Sequence, residues 1–245
     1  MLKILYPVLQ VVAVCITIVS IVIATIQIII SLRINAKWDS SVSSKVPLPR
    51  LFFLHSSFWS LTKLKKLVMS HLYYLEDKFD AGTYDHVYLQ FYVDLMEAAV
   101  SPKELKIMTV NLVRLIKDNI DYDFSIIAVP KNGCPLLAYE VAKYMKKKLL
   151  IVKDYGPRHS YQFDGRFVKG ETAIIIDDVS SDGSFLKNPI AVLKKNKIAS
   201  RDCLVLIHRK EGNAKRKLKS AQHTLHYILE LSDGDIANML GVSLI

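Results

Sequence analysis

Residues 171–185 read ETAIIIDDVSSDGSF. Residues 173–176 are apolar and rich in β-branched isoleucine, which indicates a strand buried on both faces of a parallel sheet. Asp177 and Asp178 follow this run, and a short polar turn that contains a glycine comes next. Because ligands of open α/β sheets bind beyond the carboxyl ends of the strands, we expect the function to lie at this turn.

The chemistry of the turn suits an anionic ligand. A tight loop of small residues that leads into a helix presents backbone N–H groups and the helix N-terminus to a phosphate. The carboxylates of Asp177 and Asp178 lie just upstream, where they can hold vicinal sugar hydroxyls or a metal bound to them. These features predict a phosphorylated sugar. The alternative is that the two acids merely end a strand and residues 180–183 form an ordinary turn.

Residues 177–184, DDVSSDGS, resemble the phosphoribosyl-pyrophosphate signature of type I phosphoribosyltransferases, in particular the orotate phosphoribosyltransferases. Residues 122–136 resemble the family's first core strand with its pyrophosphate-binding loop. Residues 208–212, HRKEG, resemble the Asp-Arg-x-Glu stretch that follows a later core strand. Because several motifs occur in order, the resemblance is more specific than one glycine loop.

The resemblance implies a role for each residue of the predicted site. The 5′-phosphate loop would consist of Ser181, Asp182, Gly183, Ser184 and Phe185. Pyrophosphate would meet Lys131, Asn132 and Gly133, and Lys153 would also contact the substrate. Asp177 and Asp178 would engage the ribose hydroxyls, directly or as ligands of Mg²⁺, and would act in catalysis together with Arg158 and His159.

Two of these positions carry a further expectation. A β-carbon at Gly183 would block close approach of a phosphate or a positive φ angle, so this glycine should be the least replaceable residue of the loop. Arg209 matches the family position that faces the carboxylate of the base, and a guanidinium suits a bidentate carboxylate contact. The alternative for Arg209 is a surface arginine at a strand end.

Residues 153–160, KDYGPRHS, take the place of the flexible loop of the orotate family, which reads approximately Arg-Lys-Glu-x-Lys-x-His-Gly. Aligned on His159, Pro157 stands where the catalytic lysine belongs, and Arg158, one place away, would substitute for it. In the family, a ring nitrogen displaces pyrophosphate, and basic residues and Mg²⁺ stabilise the departing negative charge. Because this loop departs from the family sequence, a module that binds the ligand without turnover stays an alternative.

The N-terminal sequence predicts a membrane span. Residues 4–32 contain no charged residue, and valine and isoleucine dominate residues 8–30, a run that can cross a hydrocarbon layer of ~30 Å as a helix. A signal peptide has a shorter apolar region and a small-residue cleavage site, so it is the weaker alternative, together with a buried core helix. Basic residues after the span place the following domain in the cytoplasm, on the inner or plasma membrane, as a single-pass protein.

The composition narrows the class of partner. The 245 residues are 51% hydrophobic and carry a formal net charge of +10, which suits the anionic inner leaflet or an anionic small molecule. Nucleic acid is not expected, because the basic clusters are not interleaved with stacking aromatic residues. The three cysteines show no paired spacing, so neither a disulfide framework nor a cysteine metal site is indicated.

The periodicity of the chain predicts an α/β fold with a mostly parallel sheet flanked by helices. The predicted parts are a transmembrane anchor at 1–35, a linker at 36–60, a helical region at 61–120 and an α/β domain at 121–245. The helical region divides into predicted helices at 61–79, 84–100 and 102–119, and it could form the interface of a homodimer. From residue 121 onward, strands alternate with helices.

These observations favour a membrane-anchored phosphoribosyltransferase-like protein. It would bind phosphoribosyl pyrophosphate with Mg²⁺ and transfer phosphoribose to a nitrogenous base, with release of pyrophosphate. Two alternatives stay open. One is a non-catalytic module that senses phosphoribosyl pyrophosphate or a nucleotide. The other is a membrane effector of a bacterial toxin or defence system, in which a nucleotide-binding domain controls the anchor.

Overall fold

The structure is a computed structural model, and it describes residues 50–81, 86–153 and 162–242. The predicted transmembrane run at 8–30 lies outside these residues, as do Arg158 and His159. Within the described ranges, no helix is both long and apolar enough to cross a membrane.

The described residues form a mixed α/β structure. Its strands are β1 (Leu72–Asp80), β2 (Tyr88–Val93), β3 (Ile126–Pro130), β4 (Lys148–Val152), β5 (Phe163–Asp164), β6 (Thr172–Ser180), β7 (Ala199–Arg209) and β8 (Thr224–Leu231). Its helices are α1 (Arg50–Ser70), α2 (Leu95–Val100), α3 (Pro102–Asn119), α4 (Pro135–Met145), α5 (Ser184–Lys195), α6 (Ala214–Ser220) and α7 (Asp233–Leu240).

The central sheet has six strands in the order β5-β4-β3-β6-β7-β8. All neighbours are parallel except β4 and β5, which confirms the predicted mostly parallel sheet flanked by helices. After β3 the chain turns to β4 on one side, and it later returns to β6 on the other side. Such a reversal of strand order opens a crevice at the carboxyl ends of the two strands, where ligands of this fold class bind.

Helices cover both faces of the sheet. Ile174 and Ile176 of β6 belong to a buried cluster that includes Leu112 of α3, whereas Ile175 belongs to a second cluster that includes Leu193 of α5. Each fully buried isoleucine of this kind contributes about 1.5–3 kcal/mol relative to an exposed one. The two-sided burial explains why the strand has no polar face and confirms that it is a core strand.

The segment before residue 120 differs from the predicted row of helices. Residues 61–70 and 95–100 are helical and α3 has its predicted bounds, but residues 72–80 and 88–93 form an antiparallel pair of strands. The predicted helices at 61–79 and 84–100 are therefore wrong over these parts. Aromatic cross-strand neighbours, Tyr73 with Tyr92 and Tyr74 with Phe91, stabilise the hairpin.

The predicted linker at 36–60 also needs a correction. Helix α1 begins at Arg50, so the last part of that segment is helical. Residues 50–245 group into one compact unit. The boundaries at residues 35 and 120 stay predictions.

His71 links α1 and the hairpin to the helices that follow. Its Nδ1 lies 3.3 Å from Glu97 Oε2, and its Nε2 lies 3.4 Å from Glu104 Oε1. Burial disfavours the charged imidazolium, but the hydrogen bonds to both glutamates outweigh it and raise the pKa of His71 above 6.5. When protonated, the ring bridges Glu97 of α2 and Glu104 of α3 at the base of the hairpin.

Candidate active site

The crevice between β3 and β6 contains a cavity of about 160 Å³. The loops after both strands line it, and the β1–β2 hairpin closes it from another side. The loop residues in its lining are Asn132, Gly133, Asp177, Asp178, Val179, Ser180, Ser181, Asp182, Gly183, Ser184 and Phe185. Most of the predicted site residues are therefore brought together.

Asp177 and Asp178 stand at the carboxyl end of β6. Asp177 is 3% exposed, and its Oδ1 accepts the N–H of Asp178 at 3.0 Å. Burial and the neighbouring charge of Asp178 raise the pKa of Asp177, and burial also raises the pKa of Asp178. Two adjacent carboxylates in a partly desolvated crevice favour the arrival of a cation or a hydroxyl donor.

The loop after β3 lies directly against Asp177. A β-carbon on Gly133 would lie 3.0 Å from Asp177 Cγ and 3.3 Å from Oδ2, with Oδ1 closer still. The backbone N–H of Cys134 also donates to the Asp177 carboxylate. Gly133 is therefore a glycine because the carboxylate needs the space, and the two predicted segments form one site.

The loop after β6 leads into helix α5. Gly183 has a φ of 75°, in the left-handed region that favours glycine, and it is the N-cap residue of α5. The Ser181 hydroxyl is buried and has no hydrogen-bond partner among the described residues. A rotation about one bond turns such a hydroxyl toward a ligand. A helix N-terminus with a glycine turn and an unused hydroxyl is suited to a phosphate.

Asp182 points into the protein beneath this loop. It is 2% exposed, its Oδ1 accepts the N–H of Ser184 at 2.9 Å, and its Oδ2 lies 3.7 Å from Lys217 Nζ. The lysine offsets the carboxylate charge, which reduces its repulsion of an anionic ligand. Because the Ser184 N–H donates to Asp182, this amide is not available to a phosphate while that hydrogen bond persists.

Gly212 packs against the backbone of the loop after β6. The sequence motifs did not indicate it as a site residue. A β-carbon at Gly212 would lie 2.8 Å from the backbone N of Asp182, with the carbonyl group of Ser181 closer still. The loop after β7 therefore packs against the backbone of the phosphate loop. Its only sequence signal was a glycine that follows the Arg209–Glu211 stretch.

The β1–β2 hairpin supplies a wall that the sequence reasoning missed. Phe79, Phe91 and Tyr92 line the cavity, and the rings of Phe79 and Tyr92 pack edge to face with centroids 5.6 Å apart. A run of aromatic residues with strand propensity was the available signal, but it was interpreted as helix.

Comparison with known proteins identifies the chain. No family model matches it. The orotate phosphoribosyltransferase of Methanosarcina mazei is 30% identical over 148 residues, which cover 59% of this chain and 76% of that protein. The chain belongs to the orotate phosphoribosyltransferase family.

Further comparisons agree with this family. The uridine 5′-monophosphate synthase of Caenorhabditis elegans is 25% identical over 144 residues, which are 57% of this chain and 28% of that protein. In fold, the orotate phosphoribosyltransferase of Aeropyrum pernix has a TM-score of 0.60 at 21% identity and covers 74% of this chain and 97% of its own. Leishmania donovani UMP synthase has a TM-score of 0.59 at 19% identity and covers 74% of this chain and 42% of its own.

Membership in the orotate phosphoribosyltransferase family supports phosphoribosyltransferase as the enzyme class. It also supports transfer of phosphoribose from phosphoribosyl pyrophosphate, with a phosphorylated sugar and a base as partners, in nucleotide metabolism.

Within this orotate phosphoribosyltransferase family fold, Arg209 is committed to protein contacts. It is 1% exposed, and its Nη1 donates to the Phe91 carbonyl at 2.7 Å. Its Nη2 forms an ion pair with Asp233, and its Nε lies 3.5 Å from Glu211 Oε2. Asp233 in turn accepts the N–H of Gln90 at 2.6 Å. Through these contacts, Arg209 holds β2 of the hairpin against the carboxyl end of the central sheet. It is a buried residue and not a surface residue.

The remaining family positions lie as follows. Lys131 is exposed and is not part of the cavity lining, and Lys153 forms an ion pair with Asp164 at 2.6 Å. His208, which replaces the aspartate of the family motif, is buried, and burial lowers its pKa. The imidazole is therefore neutral, and its Nδ1 lies 3.3 Å from the Ser180 carbonyl oxygen.

The two carboxylates fit a magnesium ion that binds together with substrate. No group of three ligating side chains that could hold a metal occurs in the described part of the chain. Mg²⁺ usually uses one or two carboxylates plus substrate oxygens and water, and Asp177 and Asp178 supply that number of oxygen donors at the cavity. When bound, the ion would neutralise charge on pyrophosphate.

Proposed function

We propose that this chain binds phosphoribosyl pyrophosphate with Mg²⁺ and transfers its phosphoribosyl group to a ring nitrogen of a base. The observation that carries the proposal is the contact between the loop of Gly133 and the carboxylate of Asp177. It brings a loop suited to pyrophosphate and a pair of acids suited to ribose to one point, next to a phosphate-type helix N-terminus.

Each part of the site has a role in this proposal. Backbone N–H groups of the loop at 181–185 other than that of Ser184, together with the Ser181 hydroxyl, hold the 5′-phosphate. Asp177 and Asp178 orient the ribose through its hydroxyl groups, and they are the residues that would hold Mg²⁺. The loop of Asn132 and Gly133 meets the pyrophosphate, at a point where negative charge grows as the group departs. The Gly133 N–H donates to the Pro130 carbonyl at 3.0 Å, so it must leave that hydrogen bond to bind the pyrophosphate.

Basic residues complete the proposed reaction. Lys131 lies at the start of the pyrophosphate loop, and Lys153 precedes the segment that contains Arg158 and His159. We assign Arg158 the role of the cation that stabilises the departing pyrophosphate, together with its sequence neighbour His159. Lys153 would exchange its ion pair with Asp164 for the substrate. Arg209 has no role in base binding in this proposal.

The test is release of pyrophosphate by the full chain in detergent, with phosphoribosyl pyrophosphate, Mg²⁺ and a panel of pyrimidine and purine bases. Release that depends on a base and is lost in Asp178→Asn supports the proposal. Asp118→Asn, at an exposed carboxylate on α3, is the matched control and should keep full activity. No release with any base would contradict transfer.

A second candidate is a sensor that binds the same ligand without turnover. Two observations favour it: Pro157 occupies the position of the catalytic lysine, and Asp182 occupies the Ser184 N–H within the phosphate loop. Calorimetry separates the two candidates, because a sensor binds phosphoribosyl pyrophosphate, loses that binding in Asp178→Ala and releases no pyrophosphate. A membrane effector of a toxin or defence system would be a sensor whose ligand changes membrane permeability.

We also propose that residues 8–30 anchor the chain in the inner or plasma membrane, with the described domain in the cytoplasm. The uncharged apolar run supports this, as do four exposed lysines around a groove between α1 and α3, which suit anionic headgroups: Lys63, Lys66, Lys103 and Lys106. Fractionation of cells that express the full chain or residues 50–245 tests it. Recovery of both proteins in the same fraction would contradict an anchor.

A homodimer through the segment before residue 120 is a further proposal. Exposed apolar and aromatic side chains in that segment support it, among them Tyr73, Tyr88, Val100 and Val110. Light scattering coupled to gel filtration measures the mass, and a monomer across the micromolar range would contradict the proposal.

A further inference from the structure

An open groove of about 970 Å³ lies between α1 and α3, and it shares no lining residue with the cavity between β3 and β6. Its apolar lining residues are Leu67, which is buried, Ile107, which is partly buried, and Val110, which is 45% exposed. Four lysines also line it, and all four are exposed: Lys63, Lys66, Lys103 and Lys106. The groove therefore has a cationic rim and an apolar floor.

The charges at this groove favour an anion. Glu104 is the one acid among the described lining residues, and its Oε1 lies 3.4 Å from Nε2 of His71. The sequence of α1 contains no aspartate or glutamate. Ser101, the N-cap residue of α3, also lines the groove, so the positive end of that helix dipole adds to the charge of the lysines.

The sequence before the groove points to the membrane as the source of that anion. Residues 1–59 contain five lysines and arginines and one acidic residue, Asp39. The predicted span ends at residue 30 and α1 begins at residue 50, and the 19 residues between them reach at most roughly 65 Å. A tether of this length keeps lipid headgroups at a high effective concentration near the groove, an advantage that a free acidic partner lacks.

We propose that the groove between α1 and α3 docks on anionic lipid headgroups and holds the domain against the membrane in one orientation. This inference rests on the proposed anchor at residues 8–30 and adds a second contact with the bilayer. The lysine ammonium groups bind the headgroup phosphates, and the apolar floor contacts the glycerol and the upper part of the acyl chains. Each lysine near an anionic surface strengthens binding about fivefold, so docking should depend strongly on the lipid charge.

Hydrogen exchange followed by mass spectrometry tests the docking on the full chain in lipid nanodiscs. Discs of phosphatidylcholine alone are compared with discs that also contain phosphatidylglycerol. The anionic lipid should slow exchange at residues 60–70 and 101–110 about twofold or more, the value for a domain that is docked at least half of the time. Exchange at residues 184–195, in α5 on the other face of the sheet, should stay the same. Equal slowing of α5 would overturn the inference.

Two charge variants test whether the groove itself makes the contact. One replaces Lys63, Lys66, Lys103 and Lys106 with glutamine. The matched control makes the same change at four exposed lysines outside the groove: Lys146, Lys169, Lys194 and Lys219. Both variants lose the same net charge, so the comparison isolates its position. The groove variant should lose the slowing and the control should keep it, whereas equal loss in both would overturn the inference. Unchanged exchange in β6 verifies that each variant is folded.

The same experiment separates this inference from the proposed anchor. If the full chain does not stay with phosphatidylcholine discs on gel filtration, the anchor fails and the inference fails with it. If the chain stays with both kinds of disc and residues 60–70 and 101–110 exchange alike in them, the docking alone fails. Exchange that is slow in both kinds of disc and in both variants would mean that a protein segment covers the groove, which also overturns the inference.

Discussion

Replacing Gly133 with alanine tests whether the loop after β3 and the end of β6 form one site. Gly133 does not have a positive φ, so alanine brings no strain of its own to the backbone. The new β-carbon would lie 3.0 Å from Asp177 Cγ and closer still to Oδ1, well inside ordinary contact. Because Asp177 is 3% exposed, its carboxylate has little room to move away.

The expected cost follows from overpacking of a buried position. Such a change destabilises proteins by about 1–3 kcal/mol, which for a domain of this size lowers Tm by roughly 2–12 °C. Displacement of Asp177 should also weaken binding of phosphoribosyl pyrophosphate. Differential scanning fluorimetry with and without this ligand, and titration calorimetry, measure both effects.

Gly234→Ala is the matched control for this substitution. Its β-carbon would meet Ser232 Oγ at 3.6 Å, an ordinary contact, and the residue lies in the first turn of α7. We expect an unchanged or slightly raised Tm, because alanine favours helix over glycine. The reasoning about Gly133 is refuted if Gly133→Ala keeps both the wild-type Tm and the wild-type affinity for the ligand.

Three further substitutions test other parts of the structure. Arg209→Leu should destabilise the protein by about 3–5 kcal/mol in denaturant unfolding, because the carboxylate of Asp233 loses its buried partner; a loss below about 1 kcal/mol would contradict the role of the pair. The ion pairs of His71 contribute stability that is complete below its ordinary pKa of 6.5 and is lost as the pH rises through its raised folded pKa. The Tm of the wild type should therefore fall more between about pH 6 and pH 8.5 than the Tm of His71→Phe does. Equal pH profiles would exclude that role. Gly183→Ala should lower the free energy of unfolding by about 1–2 kcal/mol because of the left-handed backbone, and its β-carbon would also lie 3.2 Å from Ala214. The substitution should abolish binding of ribose 5-phosphate. Retained binding would argue against a phosphate loop.

The local sequence pattern was sufficient to predict those elements whose structure depends on residues close together in the sequence. The isoleucine-rich run before Asp177 indicated a buried strand, and a turn of small residues after it indicated the start of a helix. The structure has both, and α3 has its predicted bounds. These elements depend on interactions within a few residues, namely the apolar period, backbone hydrogen bonds and a glycine at a positive φ angle.

The local sequence pattern did not predict pairing between residues that lie far apart in the sequence. The hairpin was interpreted as helix because its apolar spacing fits both periods, and only the pairing of residues 72–80 with residues 88–93 decides for strand. The ion pair of Arg209 with Asp233 and the packing of Gly212 on the phosphate loop depend in the same way on contacts between separate segments.

The amino-acid sequence by itself thus determined the α/β class, the strand that carries the two acids and the loop that follows it. The tertiary structure alone decided what surrounds that loop: an aromatic wall, an arginine whose charge is already paired, and an aspartate turned inward to Lys217. The reason is physical. Periodicity reports which face of an element is buried, whereas the partner that buries it is chosen by the packing of the whole domain.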